Sequence, residues 1–194
     1  MKEKVEINKQ ARLSEHLTSS SVATLGHSCV PAVASDQRSS ANELDGSRLS
    51  PHFTLGEMCK TSAKTLDGNI PSHVHIENLK RLCGWLEMLR SEWNKRYGEG
   101  DDPIVINSGY RSEAVNKAVG GVSGSNHLTG CAADIRVTGM EQLIRYATIL
   151  LDISDESQKD FDELLLERSP RGTYWLHFAV RPSGNRRKVR LIQT

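Results

Sequence analysis

Three short segments, AADIRV at 132–137, DELLLE at 162–167 and WLHFAV at 175–180, carry apolar residues at every second position. Only an extended strand sends successive side chains to opposite faces, so a period of two predicts three half-buried β-strands. In the first, Ala133, Ile135 and Val137 share the buried face and Asp134 takes the other. In the second, Leu164 and Leu166 point inward and Glu163 and Glu167 outward. In the third, Leu176, Phe178 and Val180 are inward and Trp175 and His177 outward. If these strands are neighbours in one sheet, Asp134, Glu167 and His177 converge on the face turned away from the core.

The elements around them have helical and turn signatures. After the turn signal DGNIP, residues Leu79, Leu82, Cys83, Leu86, Leu89 and Trp93 recur at the i, i+3, i+4, i+7 spacing of a core-facing stripe. Ser72 is the expected cap of that helix, and YGEGDDP ends it. FTLGEMCKTSAK reads as a short helix, PIVINSGY as a strand running into a turn, and RSEAVNKAVGG as a short helix closed by glycines. A second long helix is expected in VTGMEQLIRYATILL, where Thr138 and Glu141 have the spacing of a capping box. Its Leu143, Tyr146, Ala147 and Leu150 are expected in the core.

The first 49 residues differ. They are rich in Ser, Ala and Gly and hold no sustained period, which predicts a mobile low-complexity leader at 1–49 ahead of one domain at 50–194. His16 and His27 fall in it and are expected to be solvated. The chain of 194 residues has a formal net charge of +1 and 5% aromatics, so it lacks the electrostatic footprint of a nucleic-acid binder. The locally basic NRRKVRLIQT at the end is read as a solvated edge strand. Cys29, Cys59, Cys83 and Cys131 are too dispersed for a zinc knuckle or a disulfide framework. The N-terminus begins with charge but reaches no apolar h-region, and no apolar run is long enough to span a membrane. Synthesis as a cytoplasmic, soluble chain is expected.

Chemistry enters with SNHLTGCAADI at 125–135. His127 lies in the loop ahead of the strand carrying Asp134, and Gly130 allows a turn sharp enough for both side chains to reach one ion. Ala132 and Ala133 keep the approach open. Two histidines and one carboxylate form the ligand set of a catalytic zinc site, which keeps its fourth position for water.

Taken together and in order, SGYRS at 108–112, SNHLTGCAADI at 125–135 and WLHF at 175–178 resemble the zinc D-Ala-D-Ala peptidases and related phage endolysin peptidases. The resemblance covers about the last three quarters of the chain, and S-x-H-x-x-G-x-A-x-D is its most specific part. It implies an α+β fold of the hedgehog/DD-peptidase type, a small antiparallel sheet flanked by helices. The mixed order of elements agrees. It implies one zinc ion on His127, Asp134 and His177, and a carboxylate-holding arginine at Arg111, with Ser112 and Ser125 lining the same cleft. Many relatives have an acidic residue three positions before the last histidine, where this chain has Tyr174. Another branch has it at the end of the preceding strand, which matches Glu167 as the general base. Glu163 shares that face and is the weaker candidate, while Asp162 lies at the strand's edge.

The activity so implied is zinc-dependent hydrolysis of peptidoglycan stem peptides by metal-activated water, in a monomer. Carboxypeptidase, D,D-dipeptidase and L-alanyl-D-glutamate endopeptidase all remain open, because the loops around the cleft decide how much substrate fits. The competing reading is a non-catalytic zinc-containing module that binds the cell wall or a partner. A structural zinc site closes with four protein ligands, however, and here there are three and a base. A substrate outside the membrane and a chain without an export signal are reconciled if another protein releases the enzyme, as in phage or mobile-element lysis.

Overall fold

The computed structural model describes residues 46–193. The leader reading, with His16 and His27, falls outside these residues except at its last four positions. Those make specific contacts: Ser47 O accepts from Leu55 N, Arg48 bridges to Thr54, and Leu49 packs against the core.

Helices α1 (Leu55–Met58) and α2 (His73–Arg96) come first, followed by strand β1 (Ile106–Ser108) and helix α3 (Glu113–Ala118). A 3-10 turn at Asn126–Thr129 leads into β2 (Ala132–Arg136) and α4 (Met140–Ser157). Strands β3 (Glu163–Arg168), β4 (Tyr174–Ala179) and β5 (Lys188–Gln193) complete the order. The sheet runs β1-β2-β4-β3-β5, antiparallel except that β5 lies parallel to β3 at the edge. This is the α+β arrangement expected, with one parallel pair added.

The period-2 segments form the three central strands. Ala133, Ile135, Leu164, Leu176 and Phe178 are fully buried beneath α2 and α4. Trp85 of α2 meets Phe178 at 5.5 Å and Phe161 at 6.5 Å between ring centroids, which seats the long helix on the sheet. Helix α2 begins as expected: Ser72 Oγ accepts from His75 N, and the His75 ring accepts from Ser72 N. Lys95 and Arg96 occupy its last turn, where the carbonyl end of the helix favours cations.

Two local expectations are corrected. The Thr138–Glu141 capping box does not form, because α4 starts one residue later with Gly139 as its cap. Gln142 then holds the position three residues into the helix, and its Oε1 accepts from Thr138 N at 2.8 Å. The FTLGEMCKTSAK helix is a single turn, Leu55–Met58. It stops because Met58 O accepts from Tyr110 N and Cys59 O from Asn69 Nδ2, so these carbonyls serve long-range partners. Gly109 is required beside this crossing, since a Cβ there would stand 2.3 Å from Met58 O.

Asn69 ties this region together. Its backbone is left-handed, with φ 54°, a conformation Asn tolerates better than most residues. Its buried side chain donates to Cys59 O at 2.7 Å and Tyr110 O at 3.1 Å, and accepts from Ser112 N at 2.7 Å. Asn69→Ala would leave all three partners without their bond, so a loss of about 2 to 4 kcal/mol is expected. Urea unfolding measures it, and a midpoint equal to that of the parent would refute the role.

Candidate metal centre

Asp134 and His177 are direct partners in the β2–β4 register, both on the face away from the core. Their side chains meet, with His177 Nδ1 2.9 Å from Asp134 Oδ1. His127 reaches them from the 3-10 turn, where Ser125 Oγ accepts from His127 N and Gly130 closes the turn at φ 70°. A Cβ on Gly130 would stand 2.7 Å from His75 O, so the chain can reverse into β2 only with glycine there.

His127 Nε2 lies 3.2 Å from both Asp134 Oδ1 and His177 Nδ1. The three atoms thus form a triangle with edges of 2.9, 3.2 and 3.2 Å. Ligands bound tetrahedrally at about 2.0–2.1 Å stand about 3.3 Å apart, so the triangle fits one face of such a coordination shell. The tautomer fits as well. His127 Nδ1–H donates to Gly109 O at 2.6 Å, which leaves the Nε2 lone pair facing the other two ligand atoms. An Nη of Arg111 pairs with Asp134 Oδ2, so a single oxygen of Asp134 faces the triangle.

The triangle opens onto a cavity of about 670 Å³ lined by Arg111, Ser125, Glu163, Glu167 and Trp175 together with the three ligand candidates. Leu165, Arg181, Arg186 and Lys188 also line it. The cavity lining does not include Ser112. Its hydroxyl caps α3 by accepting from Val115 N, and its N–H bonds Asn69. Ser125 both lines the cavity and caps the 3-10 turn.

A second network, centred on a buried carboxylate, was not anticipated from the sequence. Asp162 is fully enclosed and holds Arg186 at 2.7 Å, Arg181 at 3.0 Å and Asn126 Nδ2 at 2.8 Å. Asn126 is the residue before His127, so the network braces the turn that carries this ligand candidate. The edge-strand reading of NRRKVRLIQT is right for β5, but Arg186 and Lys188, while still reached by solvent, also line the cleft and pair with Glu163. A charged segment complementary to the acidic start of β3 was the available signal.

A family model described as Peptidase M15 matches residues 51–153, more than half of the chain. The protein belongs to the peptidase M15 family. Zinc D-Ala-D-Ala carboxypeptidase from Streptomyces albus G is 50% identical to it over 84 residues. That alignment covers 43% of this chain and 31% of the relative, so the chain spans under a third of the relative's length. The family match includes Arg111, His127 and Asp134 and ends within α4, ahead of the strands that carry Glu163, Glu167 and His177.

The charges of this M15 site are mutually adjusted. Burial disfavours ionised Asp134, yet His127 and His177 beside it hold its carboxyl well below the usual range. Burial also works against a charged His177, but hydrogen bonding to Asp134 and the nearby Glu163 carboxylate push its pKa up to about 9. His177 holds the Glu163 carboxyl below its ordinary value, against burial and with help from Lys188. Glu167 moves the other way: burial raises it, and Asp134 and Glu163 add to the rise against His177 and Arg111.

For metal-free protein the consequence has a definite sign. The folded state holds the His177 proton more tightly than the unfolded chain, whose imidazole titrates near 6.5. The stabilisation is complete below about pH 6.5 and is lost as pH rises through about 9. Thermal melts of chelator-treated protein should therefore show Tm falling between pH 7 and 9.5, with the slope flattened in His177→Gln. A parent Tm that is level or rising over that range would contradict the assignment.

Proposed function

We propose that this chain is a zinc peptidase hydrolysing peptidoglycan stem peptides, with His127, Asp134 and His177 as the metal ligands. The observation that carries the reading is the ligand triangle, open on one side to a cleft that also presents Glu167 and Arg111. Membership of the M15 family and the name of the Streptomyces relative support the metal and the substrate class. A zinc ion in such a three-ligand site supplies a Lewis acid that polarises a peptide carbonyl and lowers the pKa of water towards about 7.

The chain's own residues then have separable tasks. Glu167 takes the proton of the attacking water and delivers it to the leaving amine, a role helped by a carboxyl whose proton affinity burial has raised. Glu163 is less suited, because Lys188, Arg186 and Asn126 occupy its oxygens and its proton affinity is lowered. Arg111 is steadied by Ser108 Oγ and offers a planar fork to a substrate carboxylate at the cleft's end. Trp175 gives the peptide an apolar wall. No helix among the described residues is long and apolar enough to cross a membrane. The enzyme acts as a monomer on the wall after release from the cell.

Digestion of purified peptidoglycan, with the freed ends identified by mass spectrometry, tests the reading and separates carboxypeptidase from endopeptidase cleavage. Chelation should abolish the activity and zinc restore it. Glu167→Gln should keep its zinc and lose roughly a hundredfold or more in kcat. Arg111→Ala should lose about 2 to 4 kcal/mol of transition-state binding in kcat/KM. Zinc content is measured alongside, because Arg111 also pairs with Asp134. Zinc-loaded parent protein that cleaves no stem peptide would leave a binding module in place of an enzyme.

A further inference from the structure

Of the two carboxylates that flank His177 on the open face, one remains without a task. Glu163 sits diagonal to His177 in the β3–β4 register, where Leu165 is the direct partner of His177. His177 turns Nδ1 towards the ligand triangle, so its Nε2 points the opposite way along the sheet. That Nε2 is buried and has no hydrogen-bond partner among the described residues. Glu163 Oε2 stands 3.7 Å from it. This exceeds hydrogen-bond length, and closing it to about 2.8 Å requires a side-chain movement of only about 1 Å.

Glu163 is itself held by a clamp on both oxygens. Lys188 Nζ at 2.8 Å and Arg186 Nη2 at 2.9 Å take Oε1, and Asn126 Nδ2 at 3.0 Å takes Oε2. Its side chain is therefore oriented by β3, by the approach to β5 and by the turn that bears His127. A buried imidazole that gives one nitrogen to a metal needs an acceptor for the N–H on the other, and a fixed carboxylate both sets the ring's orientation and makes it a stronger donor.

We propose that Glu163 is a positioning residue, the carboxylate that receives the Nε2–H of His177 and fixes that imidazole for metal binding, with Lys188 and Arg186 of the C-terminal segment holding it in place. The proposal rests on His177 being a ligand. It gives the basic C-terminal segment a function at the centre, and it separates the two glutamates of β3: Glu167 faces substrate, and Glu163 serves the metal through a histidine.

Zinc affinity decides it, measured by competition with a chromophoric chelator on the full-length parent, Glu163→Gln, Glu163→Ala and Lys188→Met. Glu163→Ala should bind zinc roughly tenfold to a hundredfold more weakly than the parent. Glu163→Gln keeps an acceptor oxygen and should recover part of that loss. Lys188→Met leaves the carboxylate in place but loosens its clamp, and should show a smaller loss in the same direction. It also keeps the test decisive should the alanine variant fail to fold. At saturating zinc, Glu163→Gln should retain far more of kcat than Glu167→Gln. Parent-like zinc affinity in Glu163→Gln and Lys188→Met would overturn the proposal, as would a Glu163→Gln variant with parent affinity and no turnover, which would make Glu163 the base. A parent that binds no zinc would instead refute the ligand set on which the proposal depends.

Discussion

The pairing of β2 with β4 is the constraint on which the rest of the structure depends. Ile135 faces Leu176 and Ala133 faces Phe178 across that pair, all of them buried under α2 and α4. A slip of one residue would turn these side chains to the open face and bring polar groups into the core, so the hydrophobic contacts hold the register tightly. Asp134 and His177 are the intervening pair, and the same register that buries their neighbours sets them opposite each other. The candidate metal centre is in this sense a by-product of core packing.

The third ligand candidate needs a different device, because no strand carries it. His127 comes from a one-turn 3-10 segment held at both ends, by Ser125 at its start and by left-handed Gly130 at its close. Gly109 O fixes the ring from behind. Gly109 is also the residue that can pass close to Met58 O, so the packing of the first helical turn and the tautomer of a ligand candidate are settled at one place. Asn69, 41 residues ahead of Tyr110 in sequence, holds that place by bonding Tyr110 and Ser112.

Many charges are confined around the triangle, and Asp134, Asp162 and Glu163 are tolerable there because each is paired. Isolated ions in such surroundings would cost far more than packing could return, whereas hydrogen-bonded pairs offset most of that cost. Asp134 has Arg111 and two imidazoles, Asp162 has Arg181 and Arg186, and Glu163 has Lys188 and Arg186. The network joins β3, the start of β5 and the 3-10 turn, so the segments around the candidate metal centre are tied by charge-assisted hydrogen bonds.

Periodicity is a local property, and what depended on it was legible in the residues. The alternation in AADIRV, DELLLE and WLHFAV determined that Asp134, Glu163, Glu167 and His177 each turn away from the buried face of their own strand, and the stripe from Leu79 to Trp93 determined the long helix and its buried side. Ser72 as a cap was legible for the same reason, since its partner is three residues away. Partners remote in the chain were not. Asn69 reads only as a turn residue until Tyr110 and Ser112 are brought beside it, and Ser112 reads as a cleft residue until its hydroxyl is seen capping α3. Arg186 and Lys188 read as solvated charges until β5 docks parallel to β3 and turns them onto Glu163. A strand's alternation specifies which side chains face together but not which strand lies next to it, and that choice, made by burial of the whole sheet, decides which charges meet.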